Sequence, residues 1–395
     1  MKRGSRRRRL AYGMLAGAAG CLACACSTGG STGTASDSGS LGVSAAYYAN
    51  AEAVVKAAET STSTWTGPTT GPKSAKNEFI VDVSEAQSNA GPEEVGVGAA
   101  QAAKALGWKF KVIDGQGTIT GNVDAMDEAL ALNPTGIFLN ADTPSEVKAD
   151  LQIAAKRHIP VVGWHVNTVP GPMGGATPVY YNVESDQTAA ATAMADYVIV
   201  QTQGRANVAI VTWSTMPVAV LKTQVMRNVI ETCKGCSVLS YANYPLTTAT
   251  TTLPTYITAL LDRYGSGAHK LNYMMFMNDQ YADDAAPSLR SAGIPTSGSD
   301  SVSLVSVGDG TIPAFERVRA GDDYQAATLP EPVYEDGWEV MDEFNRAFHS
   351  LPPDNYVTPV HLVTSADVNK DGGTQNVYNP PNNYQEHYEE IWGVK

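Results

Sequence analysis

From Glu78 onward, short apolar runs alternate with longer segments in which apolar residues recur every three or four positions. The runs predict buried strands and the longer segments predict amphipathic helices. Strands are expected at Phe79–Val83, Phe110–Ile113, Gly136–Leu139 and Ile159–Gly163, separated by helices at Glu93–Leu106, Asn122–Leu132 and Ser145–His158. Such alternation with short connections calls for a parallel sheet covered by helices on both faces. At Val179–Asn182 the chain begins a crossing, and the pattern then repeats. Helices are expected at Asp186–Gln201, Val218–Glu231, Thr252–Tyr264 and Tyr281–Ala292, with strands at Asn207–Thr212, Ser237–Ala242, Tyr273–Met277 and Val302–Val307. The expected fold class is α/β, with two doubly wound parallel-sheet lobes joined by crossing strands. Ligands of open α/β sheets bind beyond the carboxyl ends of the strands. Trp164, His165 and Asn167 follow such an end, so the stretch Arg157–Pro172 is read as one wall of a cleft.

What precedes Glu78 is of another kind. Leu41–Glu59 is Ala-rich and reads as a helix, and Thr60–Lys73 reads as a Pro/Gly/Thr linker; neither offers obvious chemistry. Lys2, Arg3 and Arg6 to Arg9 form a basic head, followed by an apolar run from Leu10 to about Ala25 that is too short to span a bilayer stably. A small-residue run ending in Cys, then the polar tether Ser27–Ser40, resembles a bacterial lipoprotein signal. Cys26 is the chosen lipidation site, since the tether starts directly after it, and Cys21 is the alternative. The arginines leave twin-arginine and general export both open, and a plain cleaved secretory peptide is the simpler reading. The expected division is a signal peptide at 1–25, a tether, helix and linker at 26–76, and a binding domain at 77–395. Its first lobe takes about 77–180 plus 333–358, and its second about 181–332 plus 359–395. The formal charge is -13, with 40 acidic against 27 basic residues. Because so many of the basic residues sit in the leader, the rest is more acidic still, which argues against nucleic acid or an anionic membrane surface as partner.

Several stretches in order, EFIVDVSEAQSNAG, FKVIDGQG, GIFLNADTPSEV, IPVVGWH, MFMNDQYADDA, SVGDG and YQAATLPEPVYEDGW, resemble the type I periplasmic binding proteins. Within that family the likeness is to the ribose- and galactose-binding group of ABC-transporter substrate-binding proteins. The resemblance implies a small ligand held between two closing lobes and handed to a membrane permease, with no bond broken. It also implies the site. Gln87 and Asn89 stand in the loop after the first strand, where the family places amides and an aromatic platform; the aromatics are missing here. Asn140 matches a polar site position. His165 falls where sugar binders usually carry Asp followed by Arg, and Trp164 beside it could supply an apolar face. In the second lobe Asn278 and Asp309 match ligand positions, with Asp279 read as a helix cap. Thr328 falls near the last site position, with Glu331 close by. The family's Arg early in the second lobe's first helix has no match near Val218, and Trp213 and Ser214 hold the preceding loop. A carboxylate, amides and two tryptophans suit a sugar, a polyol or a modestly cationic heterocycle better than a phosphate.

Cys233 and Cys236 frame a CxxC that follows a helix instead of starting one, which disfavours a redox thiol. In an exported chain a disulfide is the expected state, and a zinc site lacks further ligands at suitable spacing. Asp367, Asn369, Asp371 and Gln375, with Gly372 between, match the first positions of a calcium loop, although Tyr378 stands where a Glu belongs. A structural calcium is the one cofactor considered. The expected protein is a monomeric, lipid-anchored, extracytoplasmic solute-binding lipoprotein of an ABC importer, and not an enzyme. A ligand sensor feeding a signalling receptor would share the fold. An extracytoplasmic hydrolase is disfavoured by the lack of GxSxG and HExxH motifs.

Overall fold

The computed structural model describes residues 41–60 and 62–395. The first lobe is built on β1 (Phe79–Ser84), β2 (Lys109–Asp114), β3 (Gly136–Asn140), β4 (Val161–Trp164), β5 (Gly171–Met173) and β6 (Val179–Val183), in the order β2-β1-β3-β4-β6-β5. All pairs are parallel except β5 with β6, an antiparallel edge in what the sequence suggested was only a crossing. The second lobe carries β7 (Asn207–Thr212), β8 (Ser237–Asn243), β9 (Tyr273–Phe276), β10 (Ser303–Gly308), β11 (Gln325–Pro330) and β12 (Val363–Thr364), in the order β12-β11-β10-β9-β7-β8. Here too the last strand, β12, is an antiparallel edge. The central strands are buried along their whole length, as continuous apolar runs require when both sheet faces are covered.

Each sheet lies between two helical layers. In the first lobe, α2 (Ala90–Leu106) packs on α10 (Val333–Phe348) and α12 (Tyr384–Trp392) over one face, through Val95, Ala99, Met341 and Trp392. On the other face α3 (Ile119–Ala131) and α4 (Lys148–Lys156) contribute Met126, Leu130 and Leu151. In the second lobe α1 (Ala45–Ala58), α5 (Gln187–Gln201) and α6 (Pro217–Thr232) form one layer. The opposite layer is α7 (Leu246–Tyr264) and α8 (Gln280–Ser291), and α9 (Ile312–Ala320) leads to β11. Helix α7 begins earlier than the expected Thr252 and carries Pro254 inside, where the ring removes a backbone hydrogen bond without ending the helix.

Two boundaries differ from expectation. The segment expected as a free helix and linker belongs to the folded body: Val55 and Ala58 join the second-lobe core, and Trp65 stacks on His387 and meets Tyr388 edge-on. The carboxyl end does not stay in the second lobe. After β12 and the short α11 (Val368–Asp371), α12 returns to the first lobe, where Trp392 is buried and donates to Asp342 Oδ1 at 2.6 Å. An aromatic-rich helix needs an apolar groove, and α2 with α10 supplies it. The leader, the tether and the two lipidation candidates Cys26 and Cys21 lie outside the described residues.

The lobes are joined side by side at 184–186, 331–332 and 349–362, and Ser185 Oγ lies 2.7 Å from Thr358 Oγ1, tying the first of these crossings to the third. Across the cleft, Gln280 Nε2 donates to Ser88 O at 3.3 Å, and the carboxyl group of Asp309 lies against Gly91. The lobes are therefore closed on each other. Among the described residues no helix is long and apolar enough to cross a membrane.

Candidate ligand-binding cleft

The carboxyl ends of both sheets face each other, and the first-lobe wall comes from β1, β3 and β4. After β3 and β4 the chain turns sharply, placing Ala141 at φ 64° and His165 at φ 56°. Left-handed backbone disfavours residues that carry a Cβ; at His165 it directs the ring into the cleft. Trp164 lies behind the ring, stacked on it with centroids 3.7 Å apart, and is fixed by donating Nε1 to Asp336 Oδ2 at 3.0 Å. It is 1% exposed, so it orients His165 and is not an open platform. Asn140 Nδ2 donates to Pro92 O at 2.9 Å and to Asp82 Oδ2, holding the first turn of α2 against the sheet. Gln87 Nε2 turns back to Ser84 Oγ at 2.8 Å. Asn89, at the head of α2, is buried with its Oδ1 unpartnered.

The second-lobe wall is organised by Asp279. Its carboxylate accepts from Gly310 N, Ser306 Oγ, Gln325 Nε2 and Thr328 Oγ1, and so locks the loop after β10 to the ends of β9 and β11. The expected helix-capping role for Asp279 is not seen, and the first N–H of α8, that of Gln280, is met by Asn278 Oδ1 at 2.8 Å instead. Thr328 is spent on this hub beneath the cleft. Asn278 Nδ2 donates to Asp309 Oδ2 at 2.6 Å, which aims the Asp309 carboxyl across the cleft.

Between the walls lies a buried charge cluster. Glu331, at the crossing after β11, accepts from Lys222 Nζ at 2.9 Å, Gln187 Nε2 at 2.8 Å and His165 Nε2 at 2.9 Å. Burial would raise the Glu331 carboxyl, but His165 and Lys222 outweigh it and hold the group at about 2. Burial lowers His165, against the opposing pull of Glu331. Lys222 is raised: burial opposes its charge, and Glu331 and Asp309 overcome that. Burial pushes Asp309 up to about 7 despite Lys222, with Glu331 and Asp279 adding to the rise. Glu94, on the first turns of α2, is pushed to about 8 by burial and then by Asp309, Glu93 and Asp279. Glu184 and Glu85 are also raised, mainly by burial, and each keeps one oxygen unpartnered.

The structure thus brings together His165, Glu331, Asn278 and Asp309, with Asn89 and Trp213 nearer the outer edge. Asn140, Gln87, Trp164 and Thr328 stand behind them as supports. Sequence reasoning missed Lys222, Gln187, Glu184, Glu94 and Gln280. The cation absent near Val218 is present one turn later, as Lys222.

The loop considered for calcium is held by protein groups. Residues 368–371 form a helical turn, Asp371 pairs with His361 Nε2 at 3.0 Å, and Asp367 accepts from Thr364 Oγ1. Gln375 is exposed. The remaining oxygens face a guanidinium: Arg319 donates to Asn369 Oδ1 at 2.9 Å, Gly373 O at 2.7 Å, Val368 O and Asn376 Oδ1. Cys233 and Cys236 are joined as a disulfide just beyond α6.

Two α/β lobes hinged by adjacent crossings, with polar side chains of both lobes meeting at their strand ends, define a ligand-trapping protein that works by closure. A periplasmic binding protein domain model matches residues 80–341, and the chain belongs to that family. Its members are binding proteins and not enzymes, and the chain works outside the cytoplasm. Solved structures agree on the fold. The arabinose-binding component of an ABC transporter from Shewanella sp. ANA-3, bound to L-arabinofuranose, superposes with a TM-score of 0.64 at 16% identity, covering 80% of this chain and 97% of that one. For the myo-inositol binding protein of Caulobacter the values are 0.63, 17%, 76% and 97%, and for a glucose-galactose binding protein of Geobacillus stearothermophilus 0.62, 19%, 74% and 99%. No protein of curated function matches the chain in sequence.

Proposed function

We propose that the chain is the solute-capturing lipoprotein of an ABC importer, monomeric and anchored through Cys26 or Cys21, that delivers a small polar solute of the sugar or polyol class to a membrane permease. The observation that carries the reading is the meeting across the cleft of Asp309 with the head of α2 and of His165 with Gln187 and Glu331. These groups converge only when the lobes close, so a ligand touching both favours closure by its differential affinity. The kinds of solute named for the similar structures, arabinose, inositol and glucose or galactose, support the class.

The test is a thermal-shift screen of the full chain against pentoses, hexoses, polyols, nucleosides and small amines. The full chain is needed because α1 and Trp65 are parts of the lobes. A solute bound only by the native state raises the melting temperature saturably, and Asp309→Asn should abolish that rise. A shift that survives this substitution would place binding elsewhere, and a blank across the screen would remove the solute-capture reading. Mass spectrometry of the mature amino terminus decides between Cys26 and Cys21.

A further inference from the structure

The centre of the cleft is filled by groups that satisfy one another: Lys222, Gln187 and His165 on Glu331, and Asn278 on Asp309. Open space between the lobes lies farther out, in a cavity of about 250 Å³ bordered by the loop after β1 and by the starts of α7 and α8. The charged side chains lining it are Glu85, Asp283 and Asp284, with no Lys or Arg among the lining residues. Asp283 is answered from behind by Arg317 NH1 at 2.6 Å. Among the described residues Glu85 and Asp284 have no such cation.

The neutral lining points the same way. Glu85 is 6% exposed and Asn89 8% exposed, and Glu85 Oε2 and Asn89 Oδ1 lack hydrogen-bond partners. Gln280 spends its amide N–H on Ser88 O across the cleft, and its Oε1 is likewise unpartnered. Trp213 adds an indole to the lining, and Ser88, Thr247 and Thr250 add hydroxyls, that of Thr250 3.5 Å from Asp284 Oδ2. Buried acceptors without donors are costly, and a neutral polyol brings about as many acceptors as donors. An ammonium brings three donors and no acceptor, neutralises a carboxylate held out of water, and is attracted to an aromatic face.

Resting on the solute-capture reading above, we propose that the solute bears a protonated amine, an amino sugar or amine-bearing polyol, whose ammonium is held by Glu85 and Asp284 beside Trp213. The assignment uses residues distinct from the Asp309 and Glu331 cluster.

The experiment is calorimetry on the full chain with matched pairs that differ in one group: D-glucosamine against D-glucose, and D-glucamine against D-sorbitol. In at least one pair the amine should bind more tightly than its neutral partner by about tenfold or more, the scale of one charge-assisted contact. Glu85→Gln should erase that preference, the amine then binding no more tightly than its neutral partner. Asp284→Asn, at a more exposed position, should reduce the preference and provides a second variant if Glu85→Gln folds poorly. Neutral partners binding as well as or better than their amines would overturn the amine assignment and leave solute capture intact. Heat from none of the four would also overturn it, and solute capture would then stand or fall on the wider screen.

Discussion

Closure of this protein should consume protons. In the closed form Glu94 of the first lobe titrates at about 8 and Asp309 of the second at about 7, both raised chiefly by burial. Opening would return Glu94 to water and draw its partner carboxyl away. The closed state then retains protons that the open state releases, so closure is most favoured below the ordinary carboxylate range and weakens as pH rises from there through 7 and 8. Between pH 6 and 8 a group moving from about 8 to its ordinary value weakens closure by about 2 kcal/mol, and one moving from about 7 adds about 1 kcal/mol. Together they shift the open-to-closed ratio by about several hundredfold. Small-angle scattering, or distances between spin labels on the two lobes, should show expansion across this interval in the unliganded full chain. Glu94→Gln keeps the shape of the protonated acid and removes its charge, so the variant should stay closed at pH 8. A radius equal at pH 6 and pH 8 in the wild type, or expansion of Glu94→Gln to the same extent, would refute the reasoning.

Two further substitutions probe the cleft. Lys222→Met leaves Glu331 buried without its ammonium and should lower stability by about 3 kcal/mol in urea unfolding, the usual result of stripping one partner from a buried pair; a loss below about 1 kcal/mol would mean the pair is not buried as described. Gly91→Ala would place a Cβ 2.8 Å from Asp309 Oδ2, so it should hold the lobes apart and weaken solute binding at least tenfold with little change in the unliganded melting temperature, whereas unchanged affinity would show that the lobes do not close at this point.

The lobes were legible because strands buried on both faces leave unbroken apolar runs, as at Phe79–Val83 and Asn207–Thr212, and the helices between them keep a clear period. The ends of the chain were harder to read. Trp65 and Trp392 lie in segments rich in Pro, Gly and polar residues, and nothing local says that they dock on each other's neighbourhood through Tyr388. In the site, Asp309 and Asn278 could be read from their place after strands, because that place is a property of the sequence. Roles within the cluster could not, since either Asn278 or Asp279 can cap a helix and only the fold brings four donors to Asp279 and an acceptor carboxyl to Asn278. Lys222 did leave a trace. It interrupts the series Val218, Met226, Ile230 along one face of α6, and a cation on a buried stripe implies a buried anion to meet it.

The loop at Asp367–Gln375 is spaced to hold a metal ion but is held by Arg319. A metal-clasped loop varies with the concentration of its ion outside the cell and can be loosened by a chelator. A guanidinium is synthesised with the chain, keeps its charge at any physiological pH and has no dissociation constant to satisfy. The contacts of Arg319 therefore hold this edge of the second lobe with a group that comes with the chain itself.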